Sequence, residues 1–445
     1  MNPFKMNVPT KIESILHKLH EAGYEAYVVG GCVRDTLLGE KPHDWDITTS
    51  ATPDEIQSVF CHYQQILTGV KHGTVMILSH GEMIEITTYR IDGDYSDGRR
   101  PDNVSFTTNI VDDLARRDFT MNACASTDTQ LVDPFGGQDD LTNHLIRCVG
   151  NPEQRFTEDA LRILRGIRFA SVLNFEVEEE TKNAMFKCMN LLKNVSQERI
   201  TVEFCKTLLG TNVKNTLLEF YEIFAYILPE IKNMYKFDQH NRHHIYNVYE
   251  HSLTAVESIE SDLDLRATMF FHDIAKPQCF SMDKNKEGHF YGHPECSAKI
   301  TNKILQRMRF SNTDIHTITE LIKYHDTKIE ANAKSIKILL RKIGEMQFRR
   351  LMKVKKADIM AQNPDYTTEN LNVLSNIEVI LNDIICHNMC YSLNHLAVNG
   401  DDLIQQGIPK GRTIGTILNK LLDMVICEEV ENNKAALLKI IPTLL

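Results

Sequence analysis

The sequence predicts an α/β head followed by a long, almost wholly helical body, and three observations carry that expectation. Residues 25–29 (Glu-Ala-Tyr-Val-Val) form a short apolar run that ends at Gly30-Gly31. Residues 74–78 and 83–89 are two further strand-like runs on either side of Ser79-His80-Gly81, the pattern of paired strands. From about residue 153 onward, glycine and proline thin out and apolar side chains recur at three and four. Residues 11–22 also have helical periodicity, so helix and strand are mixed at the start. There is no internal repeat and no low-complexity tract. The expected segments are 1–150 for the head, 151–230 for a helical neck, 231–360 for a helical body and 361–445 for a helical tail.

A chain of 445 residues exceeds what one core usually supports, so more than one domain is expected. Its composition, 42% hydrophobic and 24% charged, is that of a globular protein. Net charge is −11, so an RNA contact has to use a local basic face and not a basic chain. The 11 cysteines are odd in number and scattered. The closest cluster, Cys386-His387-Asn388-Met389-Cys390, fits no common zinc spacing, and a reduced cytoplasmic setting is expected. No apolar run follows Met1-Asn2-Pro3-Phe4-Lys5, so no secretory signal is expected. No stretch approaches the roughly 20 apolar residues of a membrane helix, and no membrane partner is expected.

The head carries the first chemical motif. Val28-Val29 enter Gly30-Gly31, Arg34 follows, and Asp44-Trp45-Asp46 lies ten residues on. Glycines after a strand let backbone N–H groups approach a triphosphate, and the start of the next helix adds a favourable field. Arg34, one turn into that helix, can reach a phosphate. Asp44 and Asp46 are two apart, which on a strand puts both carboxylates on one face. Two such groups repel unless a cation lies between them. Mg²⁺ takes carboxylate and phosphate oxygens, and a pair of metals so held can activate a hydroxyl and stabilise leaving pyrophosphate.

This order and spacing resembles the signature of class II nucleotidyltransferases, the family of CCA-adding enzymes and bacterial poly(A) polymerases. The resemblance implies a polymerase-β-like catalytic head with Asp44 and Asp46 as catalytic metal ligands, and Gly30, Gly31 and Arg34 at the nucleotide. It extends downstream. Residues 90–101, including Tyr95, Arg99 and Arg100, resemble the family's flexible loop, which helps the switch to ATP. Arg116-Arg117-Asp118-Phe119-Thr120 resembles the ribose-recognising motif. Arg117 can pair with phosphate, and Asp118 can accept from a ribose 2′-OH.

In the neck, Glu158-Asp159-Ala160-Leu161-Arg162 is followed by Arg165 and Arg168. Asp159 and Arg162, three apart, are expected on one helix face, and Arg165 and Arg168 extend the row. One reading is a salt-bridged helix. The other is an acceptor and donors turned to a base edge: a carboxylate accepts from the exocyclic amine that C and A share, and a guanidinium meets C O2 and N3 or A N1. The run resembles the Glu-Asp-x-x-Arg motif by which the family chooses C or A without a nucleic-acid template. Bacterial poly(A) polymerases more often place proline after Glu-Asp, so Ala160 favours the CCA-adding branch. Residues 195–204 resemble the next neck motif, read as structural packing.

The body holds a second constellation. His251, His272-Asp273, His293 and Asp326 lie in ordered helical elements, and imidazoles with carboxylates suit a transition metal that activates water. His272-Asp273 resembles the hallmark of HD-domain phosphohydrolases, which implies an HD-type body at 231–360 with Ni, Mn, Fe or Zn. The tail, with its runs at 396–403 and 407–415, resembles the family's C-terminal RNA-binding region. Residues 337–356 are locally basic, a phosphate-facing stripe or an ordinary solvated face.

The expected function is template-independent addition of C from CTP and A from ATP to the 3′ end of tRNA, with Mg²⁺ as cofactor. A-only addition, poly(A) synthesis and, from another class, an HD hydrolase with a degenerate RNA-binding head are the alternatives. The intact Asp44/Asp46 pair speaks against the last, and the loop with Tyr95 against addition of C alone.

Overall fold

The computed structural model describes residues 6–42, 44–93, 95, 101 and 103–444. The chain divides into two compact units, Met1–Pro229 and Glu230–Leu445. The expected head and neck segments fall in the first, the expected body and tail in the second.

The first unit begins α1 (Thr10–Glu21), β1 (Ala26–Val29), α2 (Gly31–Leu37), β2 (Asp46–Thr49), α3 (Pro53–Val59), β3 (Gln65–Ile66), β4 (Thr74–Ser79), β5 (Glu82–Thr88), β6 (Arg90–Asp92), β7 (Val104–Phe106), α4 (Ile110–Ala115), β8 (Ala125–Ser126), β9 (Leu131–Val132) and α5 (Gly137–Thr142). Seven of the strands form one mixed sheet in the order β3-β4-β5-β2-β1-β8-β9. The two-residue turn His80-Gly81 joins β4 to β5 with φ of 51° and 81°, which explains the glycine there. Alternation along β1 divides the core: Ala26 and Val28 join an apolar cluster with Ile12, Ile15 and Leu16 of α1, while Tyr27 and Val29 join another with Tyr89 and Leu114.

Register positions the site. Val29, the last residue of β1, pairs with Asp46, the first of β2, in an antiparallel ladder. The chain then turns through Gly30, whose φ of 79° favours glycine, directly into α2. The strand β2 runs parallel to β5 with Ile47 opposite Ile86, so Glu85 lies beside Asp46.

The neck comprises α6 (Pro152–Glu158), α7 (Leu161–Leu173), α8 (Glu179–Cys188), α9 (Gln197–Leu208), α10 (Val213–Glu219) and α11 (Tyr221–Ile227). Gly166 in α7 is sterically required, because a Cβ there would lie 2.4 Å from Met185 Cε and 2.9 Å from Phe119 Cζ. The expected single helical face from Asp159 to Arg162 is corrected. Asp159 (φ −146°, ψ 104°) is an extended residue between α6 and α7. Its side chain accepts from Leu161 N–H at 3.0 Å, capping the start of α7.

In the second unit, α12 (Val248–Glu257), α13 (Leu263–Phe271), α14 (His293–Arg307), α15 (Asn312–Tyr324), α16 (Ala333–Met360) and α17 (Pro364–Cys386) form the main body. A break at Gly344 (φ 75°) interrupts α16. The basic run 337–356 lies on α16, and most of its charges have partners inside the unit. Arg341 pairs with Asp423, Arg349 with Glu345, Arg350 with Asp264 and Lys353 with Glu260, while buried Lys355 donates to the His325 carbonyl. That pattern is an internally paired face, not a free phosphate stripe. Residues after 390 build a small apolar core of their own around Leu403, Ile417 and Leu421.

Candidate active site

At the carboxyl end of β1 the sheet gathers charge. Asp46 opens β2, and Asp44 precedes the strand in irregular, exposed backbone. The expectation of both aspartates on one strand face is therefore corrected: only Asp46 is in the strand. A third carboxylate, Glu85 of β5, joins Asp46 in lining a cavity of about 260 Å³ with Arg90, Arg116 and Arg117. Burial raises the Asp46 pKa; Arg117 opposes the rise and Asp44 adds to it. Burial and then Asp46 raise that of Glu85, against Arg90. Converging carboxylates that resist ionisation are stabilised by a cation, and their hard oxygen donors fit Mg²⁺.

Arginines surround these acids. Arg34 is aimed by Asp35 (2.7 and 2.9 Å) and by Asn122 Oδ1 (2.8 Å). Arg117 lies so close to the glycine turn that a Cβ on Gly30 would stand 3.1 Å from its NH1. Its Nε is buried without a hydrogen-bond partner, and its fork leans on fully buried Asp113 at 3.5 Å. Gly30 thus serves as a close-approach residue for an arginine as well as a turn. Gly31 faces Arg34 instead: a Cβ there would lie 3.7 Å from its NH2.

Asp118 is buried. Burial opposes its ionisation, but Arg165, Asn122 and Arg162 outweigh that and hold it well below the usual carboxylate range. Oδ2 meets Arg165 at 2.6 Å, and Oδ1 accepts from Phe119 N–H and Asn122. In this arrangement Asp118 orients Arg165; the expected bond to a ribose 2′-OH requires one of these partners to be exchanged. Tyr95 donates to Asp92 at 2.7 Å. Asp94 and residues 96–100 of the expected flexible loop, with Arg99 and Arg100, lie outside the described residues.

The Glu-Asp-x-x-Arg run is a set of paired charges. Glu158 holds Arg162 at 2.6 Å and Arg155 at 2.8 Å. Arg162 also donates to the carbonyls of Arg155 (3.2 Å) and Arg116 (3.0 Å). Arg168 meets Glu203 at 3.3 Å and lies over the Phe169 ring. Asp159 is held by Arg199 of α9 at 2.7 Å. This corrects the reading of residues 195–204 as packing alone.

The second unit contains a different centre. His251 of α12, His272 and Asp273 after α13, His293 at the start of α14, His325 after α15 and Asp358 of α16 converge. His251, His272 and Asp273 form one metal-competent group, and Asp273, His293 and His325 another. Asp358 Oδ1 lies 2.9 Å from His251 Nε2. Every ring's Nδ1 faces a backbone carbonyl: Ala361 for His251, Met269 for His272, Phe290 for His293 and Ile322 for His325, at 2.6–3.1 Å. A donating Nδ1 leaves Nε2 a bare lone pair. Those nitrogens point at one another, 3.3 Å apart in both His251–His272 and His293–His325. Asp273 Oδ1 has no hydrogen-bond donor, and Oδ2 meets Lys276 at 2.7 Å. Burial disfavours charge on His272, yet Asp273 and Asp358 push its pKa up to about 10. Converging lone pairs that draw in positive charge fit a metal ion.

Asp326, expected as a ligand, is exposed and outside both groups. His325 takes the inward, buried position at the end of α15, and Asp326 stands at the exposed rim of the adjoining cavity. Sequence reasoning missed His325, Asp358, Glu85 and Arg199. His325 stands next to the expected ligand Asp326, whereas Glu85 and Asp358 had no local signal.

Comparison with known proteins finds relatives along nearly the whole chain. Residues 26–147 match the poly A polymerase head domain, 174–235 the probable RNA and SrmB-binding site of polymerase A, and 294–441 the putative tRNA nucleotidyltransferase domain 2. The CCA-adding enzyme of Ligilactobacillus salivarius is 34% identical over 452 residues, covering 97% of this chain and 96% of its own. That of Lactobacillus helveticus is 33% identical over 434 residues, covering 96% of both chains. Among solved structures, the Bacillus stearothermophilus CCA-adding enzyme in complex with CTP matches with a TM-score of 0.69 and 26% identity over 97% of each chain. The Thermotoga maritima CCA-adding enzyme complexed with tRNA shares the fold at a TM-score of 0.61 and 21% identity, covering 98% of this chain and 97% of its own. With a relative this similar over nearly its whole length, the chain belongs to the CCA-adding enzymes, a family of tRNA nucleotidyltransferases.

Proposed function

We propose that the chain adds C, C and A to the 3′ end of tRNA from CTP and ATP without a nucleic-acid template. The observation that carries this is what the neck has left to offer. Arg162 has five N–H groups; those to Glu158, Arg155 and Arg116 leave two. Asp159 has room for about four donors; those from Leu161 and Arg199 leave one open position. One acceptor beside two donors complements the amine, N3 and O2 of cytosine, or the amine and N1 of adenine. Uracil and guanine present the opposite order at the amine position.

In the reaction, the RNA 3′-OH gives up its proton to solvent as its oxygen forms a bond to the α-phosphorus of the nucleotide, and the bond from that phosphorus to the pyrophosphate oxygen breaks, releasing pyrophosphate. Asp44, Asp46 and Glu85 would hold Mg²⁺, which would supply positive charge to stabilise the entering and leaving oxygens. Arg34, Arg117 and the backbone at Gly30-Gly31 bind and orient the triphosphate. Asp118 fixes Arg165, and Asp159 and Arg162 read the base. tRNA, CTP and ATP are the partners. Among the described residues no helix is long and apolar enough to cross a membrane, and the cysteines are all free. Both fit work in the cytoplasm.

The head, neck, HD-type body and tail divide this work at about 150, 230 and 360. Extension of tRNA ending at the discriminator base, compared with tRNA ending in CC, tests the proposal. Growth by C, C and A on the first and A on the second is expected. Growth of the CC-ended substrate alone means A-only addition, and long A tracts mean poly(A) synthesis.

A second reading concerns the second unit. Its inward imidazoles and carboxylates suit Ni, Mn, Fe or Zn and a phosphohydrolase reaction in which a bound water is activated. Buried Lys276, held by Asp273 and by Gln239 at 2.8 Å, lines the adjoining cavity of about 300 Å³ and offers a cation to a phosphoryl oxygen.

A further inference from the structure

Every charged residue in the neck row has a partner, and two of the partners lie on one neighbouring helix. Glu158 and Arg162 pair within the row, and Arg165 reaches the head at Asp118. Asp159 and Arg168 instead reach the same neighbouring helix: Arg199 and Glu203, four apart and therefore on one face of α9, hold them. At Asp159 the hold is a fork. Arg199 NH2 lies 2.7 Å from Oδ2 and NH1 3.4 Å from Oδ1, while Oδ1 also accepts from Leu161 N–H at 3.0 Å. The pair is largely withdrawn from solvent, with 22% of Arg199 and 15% of Asp159 side chain exposed.

A lone carboxylate on an extended residue turns freely about its last bond and offers about four acceptor positions in any direction. Such a group accepts an amine poorly and tolerates a rotated, water-bridged keto base. A carboxylate gripped at both oxygens has one open position in one direction. We infer that Arg199 is a specificity-determining positioning residue, which aims the remaining acceptor of Asp159 at the base's exocyclic amine. This rests on the reading of Asp159 and Arg162 as the base-choosing pair. Arg199 touches the carboxylate, not the nucleotide. Lysine cannot replace its fork, because an ammonium is a point charge that satisfies one oxygen at a time.

The test is the ratio of kcat/KM for CTP to that for UTP, on tRNA lacking its CCA end, in Arg199→Ala, Arg199→Lys and Asp159→Ala. A well-placed base contact is worth about tenfold to a hundredfold in discrimination. Asp159→Ala should lower the ratio by that order, and Arg199→Ala by at least about tenfold. Arg199→Lys should give an intermediate ratio, with tRNA affinity and melting temperature near those of the wild type. A ratio unchanged in Asp159→Ala removes the base-choosing pair itself, and the inference with it. A lowered ratio in Asp159→Ala with a wild-type ratio in Arg199→Ala leaves the pair standing and overturns the role of Arg199. If Arg199→Ala does not fold, Arg199→Lys decides: a lowered ratio supports the inference, and a wild-type ratio overturns it.

Discussion

The two centres handle unsatisfied chemistry in opposite ways. Around the neck, guanidinium groups and carboxylates answer one another: Glu158 with Arg162, Asp118 with Arg165, Asp159 with Arg199. What is left over is a short pattern of one acceptor and two donors, which in the proposed function a base edge completes. In the second unit four inward Nε2 atoms crowd together with the carboxylates of Asp273 and Asp358, and Asp273 Oδ1 has no hydrogen-bond donor. In the proposed second reading a cation completes the group. The difference teaches how to tell a recognition surface from a metal site without seeing a ligand. In the first, guanidinium groups and carboxylates are mostly paired; in the second, imidazole nitrogens and carboxylates crowd one point.

That contrast is sharpest at the sheet end, which belongs partly to each kind. Asp46 and Glu85 converge like metal ligands, while Arg34 and Arg117 wait like recognition groups. Asp46→Asn keeps the shape and removes a charge that a cation needs. Nucleotide incorporation, followed by gel extension of tRNA, should fall by at least about 10²–10³, the loss seen when one transition-state donor is removed. An unchanged circular dichroism spectrum would show that the fold survives. Asp44→Ala should have a comparable effect, although Asp44 lies outside the strand.

Glu85→Gln should have a smaller effect, about 10–100-fold in rate, with a raised Mg²⁺ requirement, since supporting groups around a metal typically matter at that level. Full activity at ordinary Mg²⁺ would leave Glu85 a bystander of the β2–β5 register.

The smallest effect on nucleotide addition is expected from the second centre. His272→Ala with Asp273→Ala should abolish stoichiometric transition metal, measured by elemental analysis, and any hydrolysis of cyclic phosphates. Extension of tRNA should stay within about twofold of wild type, because the ligands of each centre come from a separate compact unit. Lost extension by a folded double variant would break the comparison, since the centres would then not be independent.

How much of this the sequence disclosed depends on whether the signal was local. Gly30-Gly31 and Asp44-x-Asp46 were legible because a positive-φ turn and adjacent acids leave marks within a few residues. Glu85 sits in an ordinary alternating strand, and only the pairing of Ile47 with Ile86 brings it to Asp46. The break at Asp159 was hidden because Asp159-Ala160 contains neither glycine nor proline, and the aspartate itself caps the helix that follows. At Tyr324-His325-Asp326 the acid was read as the ligand, but the helix end turns His325 inward. Asp358 lies two residues beyond the basic run 337–356 with no histidine beside it, and Arg199 lies in a motif read as packing.

The central claim is that protein side chains, not a nucleic-acid template, choose the base. Asp159→Ala tests it most directly. The measurement is the kcat/KM ratio of CTP to UTP on tRNA lacking its end, in wild type and variant. Removing the open acceptor for the C and A amines should reduce CTP and ATP use and lower the ratio about tenfold to a hundredfold, with little change in tRNA affinity. A helix that serves only as structure predicts a small loss of stability, a few tenths of a kcal/mol to about 2 kcal/mol for a lost capping carboxylate, and an unchanged ratio. That unchanged ratio would contradict the account.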